Sequence, residues 1–490
     1  MIIRASEDGR LKDILEKAGL WQAMPCGGLG QCGRCRVRAV NGDLPLTEAD
    51  RDMLGASEAA AGYRLACQAK VTRGMLLELP EEASDFYIPG TVSSGHEKGP
   101  EGGAFSIAVD LGTTTLCLAR VMDGVVTGDY RVLNRQRSYG ADVMSRIHAA
   151  MSGHGEALRR LVCEDILAGI KALGGDAGEL PERIVIAGNT TMMRLLAGED
   201  VAGLAAWPFD PGDLSLKQLK AGELLLGAEG PLAQVPVTLF PGIGPFLGAD
   251  LTAALYGSCF DCDEAPGILL DLGTNAEMAI GKKGRILAAS ASAGPAFEGG
   301  RIRCGTGSIP GAVCDVRYEY GLMRYETIGH MRPAGICGSG LIACMDAMRR
   351  AGYMDKAGLL KASLGGNLKL APALEISQAD IREFQKAKAA VRAGLDCLIG
   401  AFNEPLQNPR LILCGGFGLG TAAAKAERIG LIPSGLKCRQ MANGVISGLT
   451  RYLKYPDDAA VTRLAGSVSA LELAGQPDFA QAYLEAMNFG

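Results

Sequence analysis

Four cysteines near the start of the chain, Cys26, Cys32, Cys35 and Cys67, have the type and spacing of ligands to a redox-active metal cluster. Three lie in the run Cys-Gly-Gly-Leu-Gly-Gln-Cys-Gly-Arg-Cys from 26 to 35, and the fourth stands alone at 67. The pattern C-x5-C-x2-C with a distant fourth thiolate is one residue from the plant-type [2Fe–2S] spacing. Glycines at 27, 28, 30 and 33 suit a loop wrapped around a cluster, where backbone N–H groups must turn toward sulfur. Zinc is the main rival, but zinc ligands usually come as two short C-x2-4-C or H-x3-5-H pairs. Disulfides are disfavoured because the chain reads as cytoplasmic. The expected chemistry is the handling of single electrons.

A second set of reactive residues recurs in two places. Residues 105 to 118 read Phe-Ser-Ile-Ala-Val-Asp-Leu-Gly-Thr-Thr-Thr-Leu-Cys-Leu, and residues 267 to 280 read Gly-Ile-Leu-Leu-Asp-Leu-Gly-Thr-Asn-Ala-Glu-Met-Ala-Ile. Each is an apolar strand, then Asp-Leu-Gly-Thr, then another apolar strand: a hairpin with a carboxylate and a hydroxyl at its tip. Gly112 and Gly273 allow close approach of phosphate, to which Thr113, Thr114, Thr115, Thr274 and Asn275 can donate. Asp110 and Asp271 suit Mg²⁺, held through water, because this ion keeps several waters and takes few carboxylates. One copy alone could be an ordinary turn. Two copies, each opening a similarly ordered half, point to a nucleotide.

The elements that must position these residues follow a plain order. Residues 10 to 20 predict a short helix through Leu11, Ile14, Leu15 and Ala18, with strands over 36–40 and 75–79, as in a small ferredoxin-like β-grasp domain over 1–79. The chain begins almost at that helix, so the opening hairpin is expected to be shortened. The small sheet would then lean on a neighbouring domain or a second subunit, which makes a homodimer an expectation. Residues 80–103, rich in Pro, Gly, Ser and Glu, predict an extended, mobile linker. Beyond it, each half ends in an apolar strand entering a polar glycine turn, Ile184-Val-Ile-Ala-Gly-Asn-Thr-Thr and Leu411-Ile-Leu-Cys-Gly-Gly-Phe-Gly. A small-residue helix follows each, from Gly248 and from Ala442. Lobes over 104–262 and 263–490 are expected to face each other across a ligand cleft.

Composition bounds the alternatives. With 490 residues the chain has room for about three domains. Its 68 glycines, about 14% and twice the usual share, suit many tight turns. A net charge of −5 without a long basic tract argues against nucleic acid. No signal-peptide pattern and no run of the ~18 apolar residues a span requires are present, so a soluble cytoplasmic protein without membrane contact is expected. Eleven of the fifteen cysteines lie outside the cluster set and are expected to be reduced, small core residues. Cys259 and Cys262 form a lone C-x2-C and are read as structural. His96, His148, His154 and His330 show no metal-ligand spacing.

At this point a resemblance is specific. Asp110-Leu-Gly-Thr-Thr-Thr and Asp271-Leu-Gly-Thr-Asn resemble the two phosphate loops of the actin, sugar-kinase and heat-shock-chaperone ATPases, and Leu411 to Gly418, with Gly415, Gly416 and Gly418, is similar to their adenosine motif. Preceded by a [2Fe–2S] module, nearly the whole chain resembles the reductive activators of corrinoid proteins, including Ser292-Ala-Gly-Pro-Ala-Phe-Glu-Gly-Gly and Gly335-Ile-Cys-Gly-Ser-Gly-Leu. The resemblance implies an α/β fold: a β-grasp domain followed by a two-lobed, actin-like (duplicated RNase H-like) ATPase. It implies ATP-dependent return of Co(II) to Co(I) in a corrinoid protein of a methyltransferase system, with the cluster as donor and a low-potential protein upstream. Gly338, Ser339 and Gly340 before a helix are expected to hold phosphate, Lys388 to lie beside adenosine, and Glu298 to position the attacking water. Each has a plainer reading: packing glycines, a solvated lysine pair with Lys386, a turn carboxylate. Two other functions stay open here, a small-molecule kinase with a redox-sensing cluster and an ATP-driven activator of another low-potential enzyme.

Overall fold

The computed structural model describes residues 2–18, 28, 30, 33, 35–79, 91–93, 103–174, 178–273, 275–308, 310–371, 374–404, 409–414 and 422–490. Two compact units divide the chain, Met1–Phe240 and Pro241–Gly490.

The first unit opens with a four-stranded sheet in the order Ile2–Arg4, Leu76–Glu78, Arg36–Ala39, Tyr63–Leu65, paired antiparallel throughout. Helix Leu11–Lys17 turns Leu11, Ile14 and Leu15, spaced i, i+3, i+4, onto Val37, Leu65 and Leu77 to form a separate small core. The opening strands are short: Ile2–Arg4 forms one edge of the sheet beside Leu76–Glu78, and the two-residue strand Gly9–Arg10 pairs with Lys70–Val71 and not with Ile2–Arg4.

A seven-stranded sheet follows, in the order Lys217–Lys220, Pro236–Leu239, Ile184–Gly188, Ser106–Leu111, Thr115–Met122, Val125–Leu133, Thr91–Ser93. The central strand Ser106–Leu111 runs antiparallel to its hairpin partner and parallel to Ile184–Gly188. Ile184–Gly188 is buried at every position, as expected for a parallel strand covered on both faces. The last strand comes from the segment expected to be an extended, mobile linker. Thr91-Val-Ser93 pairs antiparallel with Asp129–Arg131, where three residues of the connection satisfy an otherwise open sheet edge.

The second unit repeats this plan. Its six-stranded sheet runs Lys437–Met441, Arg410–Cys414, Gly267–Leu272, Ala276–Lys282, Arg285–Ala291, Val468–Ala470. Here too the strand carrying the Asp-Leu-Gly-Thr aspartate is central, antiparallel to its hairpin partner and parallel to the strand on its other side. Counted from the aspartate strand, and leaving out the edge strands Lys217–Lys220, Thr91–Ser93 and Val468–Ala470, the order third–second–first–fourth–fifth is the same in both units. Helix Ala249–Gly257, expected within the 104–262 lobe, packs inside the second unit against helix Gly444–Lys454. A Cβ at Gly448 would fall 1.9 Å from the Ala253 carbonyl oxygen, so the helices touch backbone to backbone. Among the described residues, no helix is long and apolar enough to cross a membrane.

Candidate functional site

Strand pairing brings two of the four predicted cluster cysteines together. Arg36 lies opposite Leu65, and Ala66 donates its N–H to the Cys35 carbonyl at 2.6 Å, which sets Cys35 beside the turn carrying Cys67. Both cysteines are buried. The Cys67 turn is held from below. Asp50 caps helix Glu48–Met53 through Thr47 and also accepts from the Leu65 N–H at 2.7 Å. Gln68 Nε2 donates to the Gly28 carbonyl at 2.8 Å and points at Cys67 Sγ at 3.5 Å, tying the cysteine-rich loop to that turn. Gly30 has φ +74°, and a Cβ there would meet the Ala49 side chain at 2.8 Å, so only glycine fits. Gly28, Gly30 and Gly33, all with positive φ, beside two buried thiols have the donor chemistry of an iron–sulfur site. Cys26 and Cys32 lie outside the described residues.

The first Asp-Leu-Gly-Thr hairpin is braced from three sides. A Cβ at Gly112 would sit 2.5 Å from the Thr115 carbonyl oxygen, so the tip closes only on glycine. Asn134 donates its side-chain amide to the Gly112 carbonyl at 3.0 Å and its backbone N–H to the Thr114 carbonyl at 2.9 Å. Asn189, the cap of helix Thr190–Ala197, donates to Thr113 Oγ1 at 2.8 Å. Arg146, fully buried, donates to the Thr113 carbonyl at 2.5 Å and to Gln136 Oε1 at 3.2 Å. Burial pushes the pKa of that guanidinium down to about 9, which leaves it charged at neutral pH. Asp110 sits opposite Cys117 in the ladder. Burial, then the Asp110 charge, push the Cys117 thiol up to about 12, so it stays neutral.

The second hairpin gathers carboxylates. Asp271 is opposite Glu277 across the ladder and parallel to Cys414 on the other side. Gly273 donates its N–H to the Asn275 carbonyl at 3.1 Å, and a Cβ on Gly273 would lie 3.5 Å from Glu298 Oε1, so Glu298 faces the loop tip. Burial, then Asp250 and Asp271, push Glu277 well above the ordinary carboxylate range. Asp250, from the first turn of helix Ala249–Gly257, is pushed up to about 6 by burial. Burial and these neighbouring carboxylates together favour protons on Asp250 and Glu277, and among the described residues no three such groups gather as metal ligands. Sequence reasoning missed Asp250 and Glu277. Their signals were the position directly across the hairpin from Asp271 and the small-residue helix already noted at Gly248. Thr274 lies outside the described residues.

Other expectations fare differently. Lys388 was expected either beside adenosine or on a solvated helix face. It is fully buried, donates to the Asn488 carbonyl at 2.7 Å and sits over the Phe489 ring at 5.4 Å, clamping the C-terminal residues. Burial lowers its pKa to about 8. Lys386 is the exposed lysine and pairs with Glu383. Gly338, Ser339 and Gly340 do begin helix Gly338–Arg350, but all three are buried. The Ser339 hydroxyl faces the Cys337 thiol at 3.2 Å, and a Cβ at Gly340 would fall 2.0 Å from the Val313 carbonyl oxygen. The plainer packing reading accounts for them. Cys259 and Cys262 form a turn after helix Ala249–Gly257, and its Asp261 is clamped by Arg451 at 2.7 and 2.8 Å. Gly415, Gly416 and Gly418 lie outside the described residues.

Relatives agree with this layout. Residues 1–72 match a 2Fe-2S iron-sulfur cluster binding domain, residues 105–263 the RACo middle region, and residues 265–490 the C-terminal domain of RACo, the ASKHA domain. The chain is 30% identical over 428 residues to the corrinoid activation enzyme RamQ of Eubacterium limosum, across 79% of this chain and 70% of that protein. It is 28% identical over 325 residues to a Methanosarcina barkeri reductase of the Co(II) methylated amine-specific corrinoid protein, across 60% of this chain and 59% of that one. Its fold is similar to that of a solved reductive activator for a corrinoid, iron-sulfur protein, with a TM-score of 0.72 and 24% identity over 99% of this chain and 96% of that one. An iron–sulfur domain joined to an actin-like, ATP-binding domain, with these relatives, places the chain in the family of corrinoid activation enzymes.

Proposed function

We propose that this protein returns the cobalt of a partner's corrinoid from Co(II) to Co(I), using ATP and one electron that enters through its iron–sulfur domain. One observation carries the reading: buried Cys35 and Cys67 share a chain with the hairpin of Asp271 and Glu277, whose tip Glu298 faces. A [2Fe–2S] cluster, when bound, supplies reversible storage of one electron. Cys26, Cys32, Cys35 and Cys67 are the residues assigned to hold it. The upstream donor is a low-potential electron carrier, and the protein works in the cytoplasm.

The nucleotide chemistry falls to the hairpins. Gly112, Thr113, Thr114 and Thr115 in the first unit, and Gly273, Thr274 and Asn275 in the second, are the residues assigned to phosphate oxygens. Asp110 in the first unit, and Asp271 with Asp250 and Glu277 behind it in the second, are the carboxylates that would hold Mg²⁺. Glu298 orients the water that attacks the γ-phosphate, giving ADP and phosphate. Gly415, Gly416 and Gly418 line the adenosine. The need for ATP follows from the cobalt. Each ~59 mV by which the electron donor is too positive costs a factor of ten in Co(I). Binding the corrinoid partner tightly enough to change its cobalt ligation closes part of that gap, and hydrolysis releases the partner for the next cycle.

The test is ATP turnover with and without an oxidised corrinoid protein. Slow hydrolysis that rises several-fold when the Co(II) partner is added supports the coupling. Equal turnover in both conditions contradicts it.

A further inference from the structure

The brace on the first phosphate hairpin does not end there. Asn134 and Arg146 bond the Gly112, Thr113 and Thr114 carbonyls, and Gln136 bridges them: its N–H donates to Asn134 Oδ1 at 3.0 Å and its Oε1 accepts from Arg146. The next turn is pinned as well, since Arg146 Nε donates to the Gly140 carbonyl at 3.0 Å and the Tyr139 N–H donates to the Gln136 carbonyl at 2.9 Å. Tyr139 closes the segment. Its buried ring lies 5.1 Å from the His154 ring on one side, and Lys12 Nζ lies 4.5 Å from its centroid on another. Lys12 belongs to helix Leu11–Lys17 of the iron–sulfur domain. Its ammonium also borders the cluster loop: the point where Gly28 would carry a Cβ is 3.4 Å from Lys12 Nζ and 3.7 Å from Cys67 Cβ.

One cation therefore touches the cluster loop and the far end of the phosphate-loop brace. We propose that Lys12 links the redox state of the cluster to nucleotide binding at the first phosphate hairpin, acting as a positioning residue through Tyr139. The inference rests on the cluster and nucleotide assignments above and not on the corrinoid reading. Reduction adds one electron and one negative charge to the cluster, and the electron comes from the low-potential donor. The added charge draws the Lys12 ammonium toward the cluster loop and weakens its contact with the Tyr139 ring. The segment from Asn134 to Arg146 then loses its outer anchor, and the Gly112–Thr115 tip grips phosphate less well. Linkage makes the effect reciprocal: nucleotide bound at the hairpin lowers the midpoint potential of the cluster by the same factor. ATP would thus make the stored electron more reducing.

The experiment uses the full-length, cluster-loaded protein and no corrinoid partner. Midpoint potentials are read from the visible spectrum in a dye-equilibrated titration, with and without a non-hydrolysable ATP analogue and Mg²⁺. Wild type should shift down by about 59 mV with nucleotide, a tenfold change, and should bind the analogue about tenfold more tightly when oxidised than when reduced. Lys12→Gln should lower the nucleotide-free potential and abolish the nucleotide shift, and Lys12→Arg should restore the shift. Tyr139→Leu lies across the contact from the cysteine loop; it should keep the nucleotide-free potential and lose the shift. It serves as the test if Lys12→Gln loads its cluster poorly. No nucleotide shift in wild type, or a wild-type shift in both Lys12→Gln and Tyr139→Leu, overturns the proposal. Failure of wild type to bind a cluster at all would instead overturn the assignment of the cysteines.

Discussion

Replacing Asp271 by Ala should weaken Mg²⁺–ATP binding at least tenfold and leave the visible spectrum of the cluster unchanged, as calorimetry and absorption would show together. Unchanged affinity would mean that the phosphate loop is misplaced. The neighbouring carboxyls add a pH dependence. Asp250 is pushed up to about 6 and Glu277 well above its ordinary range, so below these values protons occupy the floor that Asp271 and Glu298 share with them. As pH rises through about 6, Asp250 ionises and Mg²⁺–nucleotide affinity should rise. Calorimetry in buffers of different ionisation enthalpy should detect proton release on binding at pH 6, and Asp250→Asn should remove much of it. Lys388 predicts a trend in stability. Its folded pKa is lowered to about 8 from 10.5, so between these values the unfolded chain binds more protons, and stability rises with pH across that window. The contribution, on the order of 1–3 kcal/mol, is absent below about 8 and should vanish in Lys388→Met. Asp110 and Asp271 were legible in the sequence because a hairpin tip is a local feature. The burial of Lys388 was not legible because Lys386 and Lys388 belong to one amphipathic helix, and only the returning carbonyl of Asn488 decides which is buried.

The elements were read best where a strong local pattern coincided with a buried face. Helix Leu11–Lys17, strand Arg36–Ala39 and both Asp-Leu-Gly-Thr hairpins stand where periodicity placed them. Strand Thr91–Ser93 escaped notice because it is three residues long and gains its hydrogen bonds from a distant edge. The Gly338–Gly340 turn looked like a phosphate cradle because packing glycines and binding glycines have the same composition; only the Val313 carbonyl above Gly340 separates them. Asn134, Arg146 and Asn189 were invisible as a set, since they converge on one hairpin from three separate elements. Arg146→Met tests that convergence. It strips donors from the Thr113 and Gly140 carbonyls, each buried orphan costing about 1–3 kcal/mol, so thermal stability should fall by that order. ATP affinity should drop with it, whereas the cluster, set in its own small core, should keep its spectrum. Normal ATP affinity in that variant would show that the brace is only scaffolding.

At the scale of the whole molecule, a one-electron module and a duplicated ATPase occupy a single chain, and neither explains the other unless ATP binding governs where the electron goes. The iron–sulfur domain has a hydrophobic core distinct from that of the first ATPase sheet, so the ATPase should fold and still bind nucleotide when the cluster is lost, without the redox-dependent change in affinity. That separation makes one measurement decisive. Wild type and Cys35→Ala are each mixed with a Co(II) corrinoid protein, Mg²⁺–ATP and an artificial low-potential reductant, and Co(I) is followed by its absorbance. ATP affinity is checked in parallel. The account predicts rapid, ATP-dependent Co(I) formation from wild type. It predicts almost none from Cys35→Ala, which still binds ATP. Full Co(I) yield at the wild-type rate from the cluster-less variant would contradict the electron-donor role assigned to Cys26, Cys32, Cys35 and Cys67.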